Sequence, residues 1–191
     1  GIGSLDGELK NQVLRDAADA LVAHTDEILE ANREDMICGR TGGMPEGLLD
    51  RLMLTEERIA AMADGIREVV LLDDPIGEML SMKRRPNGMI IGKRRVPLGV
   101  VGMIYEARPN VTADAFALCF KTGNCVILKG GKDAIHSNIA IVAALKTALL
   151  RNGIDENALN LIESTDRETT RDFMKMKEYV DVLIPRGGAG L

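Results

Sequence analysis

The chain has 191 residues, 46% of them hydrophobic and 28% charged, with a formal net charge of −5. That make-up suits a globular protein with a sizeable core and excludes disordered and fibrous classes. The charge is unevenly split: residues 1–80 hold 7 basic and 18 acidic side chains (net −11), and residues 81–191 hold 17 and 11 (net +6). The chain therefore reads as two units, the second equipped to attract an anion.

With only 3 Phe, 2 Tyr and no Trp, the core must be aliphatic. The uncharged stretches Val96–Tyr105 and Ala134–Leu145 fall short of the ~20 residues a membrane helix needs. No basic segment followed by an apolar run opens the sequence, so neither a membrane partner nor a signal peptide is expected. Three cysteines without disulfide spacing fit a reducing, cytoplasmic setting. Cys119 and Cys125 stand six apart with only His24 and His136 to assist, so no metal site is expected.

Residues 6–72 read as helices. Leu14, Ala17, Ala18, Leu21 and Val22 form one apolar stripe. Pro45 is suited to open a short helix running to Leu54. Thr55 followed by Glu56 and Glu57 predicts a capped helix whose stripe is Ile59, Met62, Ile66, Val69 and Val70. Met82–Arg95 predicts a hairpin turning at Asn87-Gly88, its arms carrying Lys83, Arg84, Arg85, Lys93, Arg94 and Arg95.

From there the elements alternate. Strands are expected at Gly99–Tyr105, Cys125–Lys129, Ala158–Glu163 and Tyr179–Ile184, with helices near Thr112–Lys121 and Asp133–Leu150. Thr165 to Glu168 has the spacing of a capping box for another helix. Alternation of this kind predicts an α/β fold, a parallel sheet with helices on its faces.

Neither the glycine fingerprint of dinucleotide-binding folds nor a P-loop is present. Gly99 and Gly102 come nearest, and close packing explains them equally well. Lys129-Gly130-Gly131-Lys132 follows a strand's carboxyl end, where ligands bind in open α/β sheets and helix amides attract anions. A solvated turn would look the same by spacing alone. The Pro185–Gly190 segment, with Arg186, Gly187 and Gly188, repeats the arrangement after the last strand. Arg108, Pro109 and Asn110 lie past strand Gly99–Tyr105; Asn110 suits a helix cap first and an oxyanion donor second. The six basic residues of hairpin 83–95 raise a rival reading, a nucleic-acid-binding module or a non-catalytic interaction segment. The hairpin holds no aromatic residue for stacking, and the chain as a whole is acidic.

Three strings carry a resemblance: Val96–Thr112 (VPLGVVGMIYEARPNVT), Lys121–Asn138 (KTGNCVILKGGKDAIHSN) and Val180–Leu191 (VDVLIPRGGAGL), with Asp26–Asn32 and Leu48–Leu52 matching as well. In them the sequence resembles the γ-glutamyl phosphate reductases (glutamate-5-semialdehyde dehydrogenases) of the aldehyde dehydrogenase superfamily. The resemblance implies a Rossmann-like sheet behind a layer of N-terminal helices, with residues 1–80 packing on an NADP-binding unit at 81–191. It implies NADPH-dependent reduction of L-glutamyl 5-phosphate to L-glutamate 5-semialdehyde with release of phosphate, a step of proline biosynthesis. A cysteine thiolate attacks the acyl phosphate in that family.

Carried over by position, Asn110 would stabilise the oxyanion and Lys129 would contact the cofactor ribose and its 2′-phosphate. Gly130 and Gly131 stand where NAD-preferring relatives place an acidic side chain. Gly187 and Gly188 would lie along the pyrophosphate, and Arg108 would meet the substrate. None of Cys38, Cys119 and Cys125 matches the family nucleophile, and the family continues well beyond Leu191, so the chain reads as the N-terminal part of such an enzyme and is expected to be inactive alone. The resemblance further implies a homo-oligomer, association with a glutamate 5-kinase, and no nucleic-acid partner.

Overall fold

The computed structural model describes residues 1–187. Four helices open the chain: α1 (Gly7–Ala23), α2 (Thr25–Thr41), α3 (Glu46–Leu52) and α4 (Glu56–Leu71). The Asp6 carboxylate accepts the Leu9 N–H at 2.8 Å and starts α1; the Thr55 hydroxyl accepts the Arg58 N–H at 3.2 Å and starts α4. Their stripes are buried where the spacing predicts it, with Leu14, Ala17, Ala18, Leu21 and Ile59 wholly inside. Val22 departs from that expectation and stands 47% exposed at the margin of the α1 stripe.

The hairpin forms as expected. Strands β1 (Met79–Arg84) and β2 (Ile90–Arg94) pair antiparallel, and Gly88 supplies the turn with φ +87°. No residue of the ribbon is buried, and Leu80, Met82, Ile90 and Ile91 are all exposed.

Strands β3 (Val100–Tyr105), β4 (Cys125–Lys129), β5 (Leu159–Leu161) and β6 (Val182–Arg186) form one parallel sheet in the order β5-β4-β3-β6. Helices α5 (Asn110–Lys121), α6 (Ile135–Arg151) and α7 (Arg167–Lys175) make the crossovers. The chain moves outward from β3 to β5 and then returns past β3 to β6. This is the Rossmann-like reversal that opens a crevice at the carboxyl ends of the strands.

Two strands differ by more than one residue from their sequence-based bounds. The expected strand Ala158–Glu163 shortens to Leu159–Leu161, because residues 156–158 form a 3-10 turn. The expected strand Tyr179–Ile184 shifts to Val182–Arg186, leaving Tyr179 70% exposed. Tertiary pairing sets this register: the Asp181 carboxylate accepts the Val100 N–H at 2.8 Å, and the Asp181 N–H donates to the Val100 carbonyl at 2.9 Å. Pro185 and Arg186 therefore belong to the strand, and Pro185 is tolerated because β6 pairs on one side only among the described residues.

Helices α1 and α4 pack on α5 and α6, and all four share one aliphatic cluster with β3 and β4. Phe116 and Phe120 stack within it at 5.5 Å between ring centres. Residues 132–151 are long and apolar enough by composition to cross a membrane, yet half of that run is buried under α1, α2 and α5, as a core helix should be. Gly102 is a packing glycine: an added Cβ would stand 2.8 Å from both Leu183 and Phe173.

Helix α6 has no cap of its own. Asp35, 1% exposed on α2, accepts the N–H groups of His136 (3.2 Å) and Ser137 (2.8 Å), and also engages the Ser137 hydroxyl (2.6 Å) and the His136 ring (2.8 Å). A carboxylate from the helical layer thus closes the positive end of the helix that follows the Lys129–Lys132 turn.

Candidate functional site

The carboxyl end of β3 leads through Glu106–Pro109 into α5. Pro109 occupies the capping position with φ −57° and ψ −32° and offers no acceptor. Asn110 therefore does not cap the helix, contrary to the first role its position suggested. It is the first helical residue, exposed, with its amide Nδ2 3.5 Å from an Asp114 carboxylate oxygen one turn on. The side chain stays available at the helix start, next to Arg108. Likewise, Asp166 rather than Thr165 precedes α7, and the expected capping box is not made.

At the end of β4, Lys129 is 4% exposed, and its Nζ has a single acceptor among the described residues, the Gly130 carbonyl at 3.2 Å. An ammonium carries three donors, so among the described residues two are left without a protein acceptor on a side chain that is itself largely buried. Burial pushes the Lys129 pKa down, and Asp166 pulls it partly back.

The two glycines after it differ in kind. A Cβ on Gly130 would lie 2.3 Å from Nδ2 of Asn138, whereas one on Gly131 would meet nothing closer than 3.6 Å. Gly130 is thus required by packing and Gly131 is open. Asn138 is wholly buried; its Oδ1 accepts from the Thr112 hydroxyl (2.9 Å), which pairs with the Tyr105 hydroxyl (2.6 Å). Asn138 Nδ2 has no partner among the described residues. Burial pushes the Tyr105 hydroxyl up to about 12, so it remains a neutral member of this chain.

Two clefts adjoin at this edge of the sheet. The larger, about 640 Å³, has Lys129, Gly130, Gly131 and Arg108 in its wall, faced by Arg167 and Arg171 of α7. The smaller, about 480 Å³, is lined by Asn110, Arg108, Asp114 and Arg58. Arg51 of α3 borders both. The fold thus gathers Arg108, Asn110, Lys129, Gly130 and Gly131 around one edge. Gly187 follows β6 and lines neither cleft, and Gly188 lies outside the described residues.

No local signal in the sequence marks Arg51, Asp114 or Asn138, each of which sits in an ordinary helix, or the basic residues of α7. None of the three cysteines lines either cleft. Burial pushes the Cys119 thiol to about 11 and also raises that of Cys125, which opens β4 at the opposite end of the sheet. Such thiols are poor nucleophiles at neutral pH. Among the described residues no cluster of metal-ligating side chains occurs. The basic hairpin interleaves its charges with exposed aliphatic residues and pairs Arg95 with Glu78 at 2.7 Å, which suits a protein surface better than a phosphate backbone.

The aldehyde dehydrogenase family profile matches residues 2–187. Over 190 residues the chain is 64% identical to a γ-glutamyl phosphate reductase of Agathobacter rectalis, covering 100% of this chain and 46% of the relative. The crystal structure of the γ-glutamyl phosphate reductase of Thermotoga maritima superposes with a TM-score of 0.97 at 41% identity, covering 100% of this chain and 46% of that one. That of Saccharomyces cerevisiae superposes with a TM-score of 0.89 at 29% identity, covering 99% and 48%. The chain spans about half the length of the relatives it matches. A match across nearly its whole length, on a parallel sheet of the same architecture, makes this chain a member of the aldehyde dehydrogenase family.

Proposed function

We propose that this chain forms the cofactor-binding half of an NADPH-dependent enzyme that reduces L-glutamyl 5-phosphate to L-glutamate 5-semialdehyde and releases phosphate, a step of proline biosynthesis in the cytoplasm. The observation that carries the reading is the buried Lys129 ammonium, two of its donors without an acceptor among the described residues, in the wall of a cleft at the carboxyl edge of a parallel sheet. The names of the relatives support the substrate, and membership of a dehydrogenase family supports the nicotinamide cofactor.

The residues present fit such a cofactor. Lys129 would donate to ribose and phosphate oxygens, and Gly131 leaves room for a 2′-phosphate that Lys132 and the α7 arginines can neutralise. Bound NADPH supplies hydride. Asn110 would hold its Nδ2–H toward the oxygen of the acyl group, a donor of a kind worth roughly 2.7–4 kcal/mol in a transition state. Arg108, bordering both clefts, would orient the substrate's phosphate. The thiol nucleophile of the family is none of Cys38, Cys119 and Cys125, none of which reaches the clefts.

The exposed apolar ribbon supports assembly into an oligomer, since a two-stranded sheet is marginal by itself. Association with a glutamate 5-kinase, which would deliver the labile acyl phosphate, belongs to the same proposal.

NADPH emission titrated with wild type and with Lys129→Met tests the reading. Loss of charged hydrogen bonds should weaken binding by roughly 10–100-fold in the variant. No wild-type binding at millimolar cofactor, or equal affinities, would sink the proposal.

A further inference from the structure

The smaller cleft, beside Asn110, carries a charge pattern that hydride chemistry does not require. Arg58 is already committed: it donates to the Asp50 carboxylate at 2.8 Å and to the Met53 carbonyl at 2.8 Å. Arg51 and Arg108, by contrast, make no side-chain hydrogen bond or ion pair among the described residues. Asp114 lines the same cleft, half-buried one helical turn beyond Asn110. Among the described residues its carboxylate receives only the long contact from Asn110. Burial pushes its pKa up, against the pull of Arg186 and of the Asn110 amide, so the ionised form is under-compensated where it stands.

Resting on the function proposed above, we infer that this cleft is a seat for the amino-acid end of the substrate, with Asp114 taking the α-ammonium and Arg51 the α-carboxylate. Position and reach agree. On one helix face, residues four apart hold their Cβ atoms about 5–6 Å from each other. In an extended glutamyl chain the α-nitrogen lies four bonds from the acyl carbon, roughly 5 Å at standard bond lengths. An acyl group held at Asn110 therefore delivers its ammonium to Asp114. A cleft of about 480 Å³ suits a five-carbon amino acid. The Arg58–Asp50 pair is neutral as a unit, and with Arg108 assigned to the phosphate, Arg51 is the lining cation left for the α-carboxylate among the described residues. Selection then comes from unpaired charges on both sides: an analogue lacking either group leaves one of them unanswered.

Calorimetric titration of the 191-residue chain with L-glutamate, glutarate (no ammonium) and 4-aminobutyrate (no α-carboxylate) tests the seat. Wild type should prefer L-glutamate to either analogue by roughly tenfold or more. Asp114→Asn should abolish the preference over glutarate without changing glutarate binding. Arg51→Gln should weaken L-glutamate and leave 4-aminobutyrate unchanged. Equal binding of glutarate and L-glutamate by wild type, or an unchanged ratio in Asp114→Asn, overturns the inference, as does a wild-type chain that binds no L-glutamate. NADPH titrated into the same sample separates the two readings. Cofactor binding without L-glutamate binding removes only the seat, and failure of both removes the reductase reading with it.

Discussion

Gly130→Ala and Gly131→Ala make a pair whose outcomes should diverge, although the residues are neighbours in one turn. Neither glycine needs a positive φ; Gly131 has φ −68° and ψ 157°. The difference lies in what surrounds each. A methyl on Gly130 would fall 2.3 Å from Asn138 Nδ2 and 3.4 Å from the Tyr105 ring, and both of those side chains are buried. The amide must move by more than an ångström, which breaks its 2.9 Å bond from Thr112 and loosens the link to Tyr105.

Overpacking of this kind costs about 1–3 kcal/mol, and a lost buried hydrogen bond adds about 1 kcal/mol, so Gly130→Ala should destabilise by about 2–4 kcal/mol. At this chain length that lowers Tm by roughly 4–16 °C. Gly131→Ala meets nothing closer than 3.6 Å and restricts the unfolded chain, so it should be neutral or stabilise by about 0.4–1 kcal/mol. Thermal unfolding followed by circular dichroism reads both. Asn138→Ala combined with Gly130→Ala should cost less than the sum of the single changes, because the colliding amide is gone. Equal Tm values for the two alanine variants, or strict additivity in the double variant, would refute the assignment of Gly130 to packing.

Removing the Asp35 carboxylate with Asp35→Ala strips the α6 terminus of four contacts, two of them to backbone N–H groups, and should cost about 2–4 kcal/mol in urea unfolding; a loss within experimental error would show that the cross-layer cap carries no stability. Lys129 should impose a pH dependence. Burial holds its folded pKa below the ordinary 10.5, so the unfolded chain binds the proton more tightly between the two values, and stability should rise with pH through that window. Urea midpoints of wild type and Lys129→Met, compared across it, should show a flatter rise in the variant; parallel curves would contradict the burial of the ammonium.

Much of the fold was legible locally. Thr55 caps α4 because its hydroxyl reaches an amide three residues on, and Asn87-Gly88 turns the hairpin because glycine alone enters the required backbone region easily. Strand β4 runs from Cys125 to Lys129 as read, since an apolar run bounded by glycines has few other ways to be buried. The alternation of such runs with helices sufficed for a parallel α/β sheet, and the places of Lys129 and Asn110 past the carboxyl ends of strands could be read the same way.

What escaped local reading depends on residues far apart in the chain. Asp181 sets the start of β6 by grasping Val100, 81 positions away, against the apolar pattern that favoured an earlier strand. Asp35 caps α6 across 102 residues, and Asn138 dictates a glycine at position 130 through volume alone. Arg51 and Asp114 look like ordinary helix-surface residues until α3 and α5 meet at the sheet edge. Short-range torsional and hydrogen-bond preferences are written residue by residue, so the sequence by itself determined which elements form and that they alternate into a parallel sheet. Strand register, remote caps and the charge balance of a cleft are decided by which surfaces exclude water together, and only the packed tertiary structure settles that.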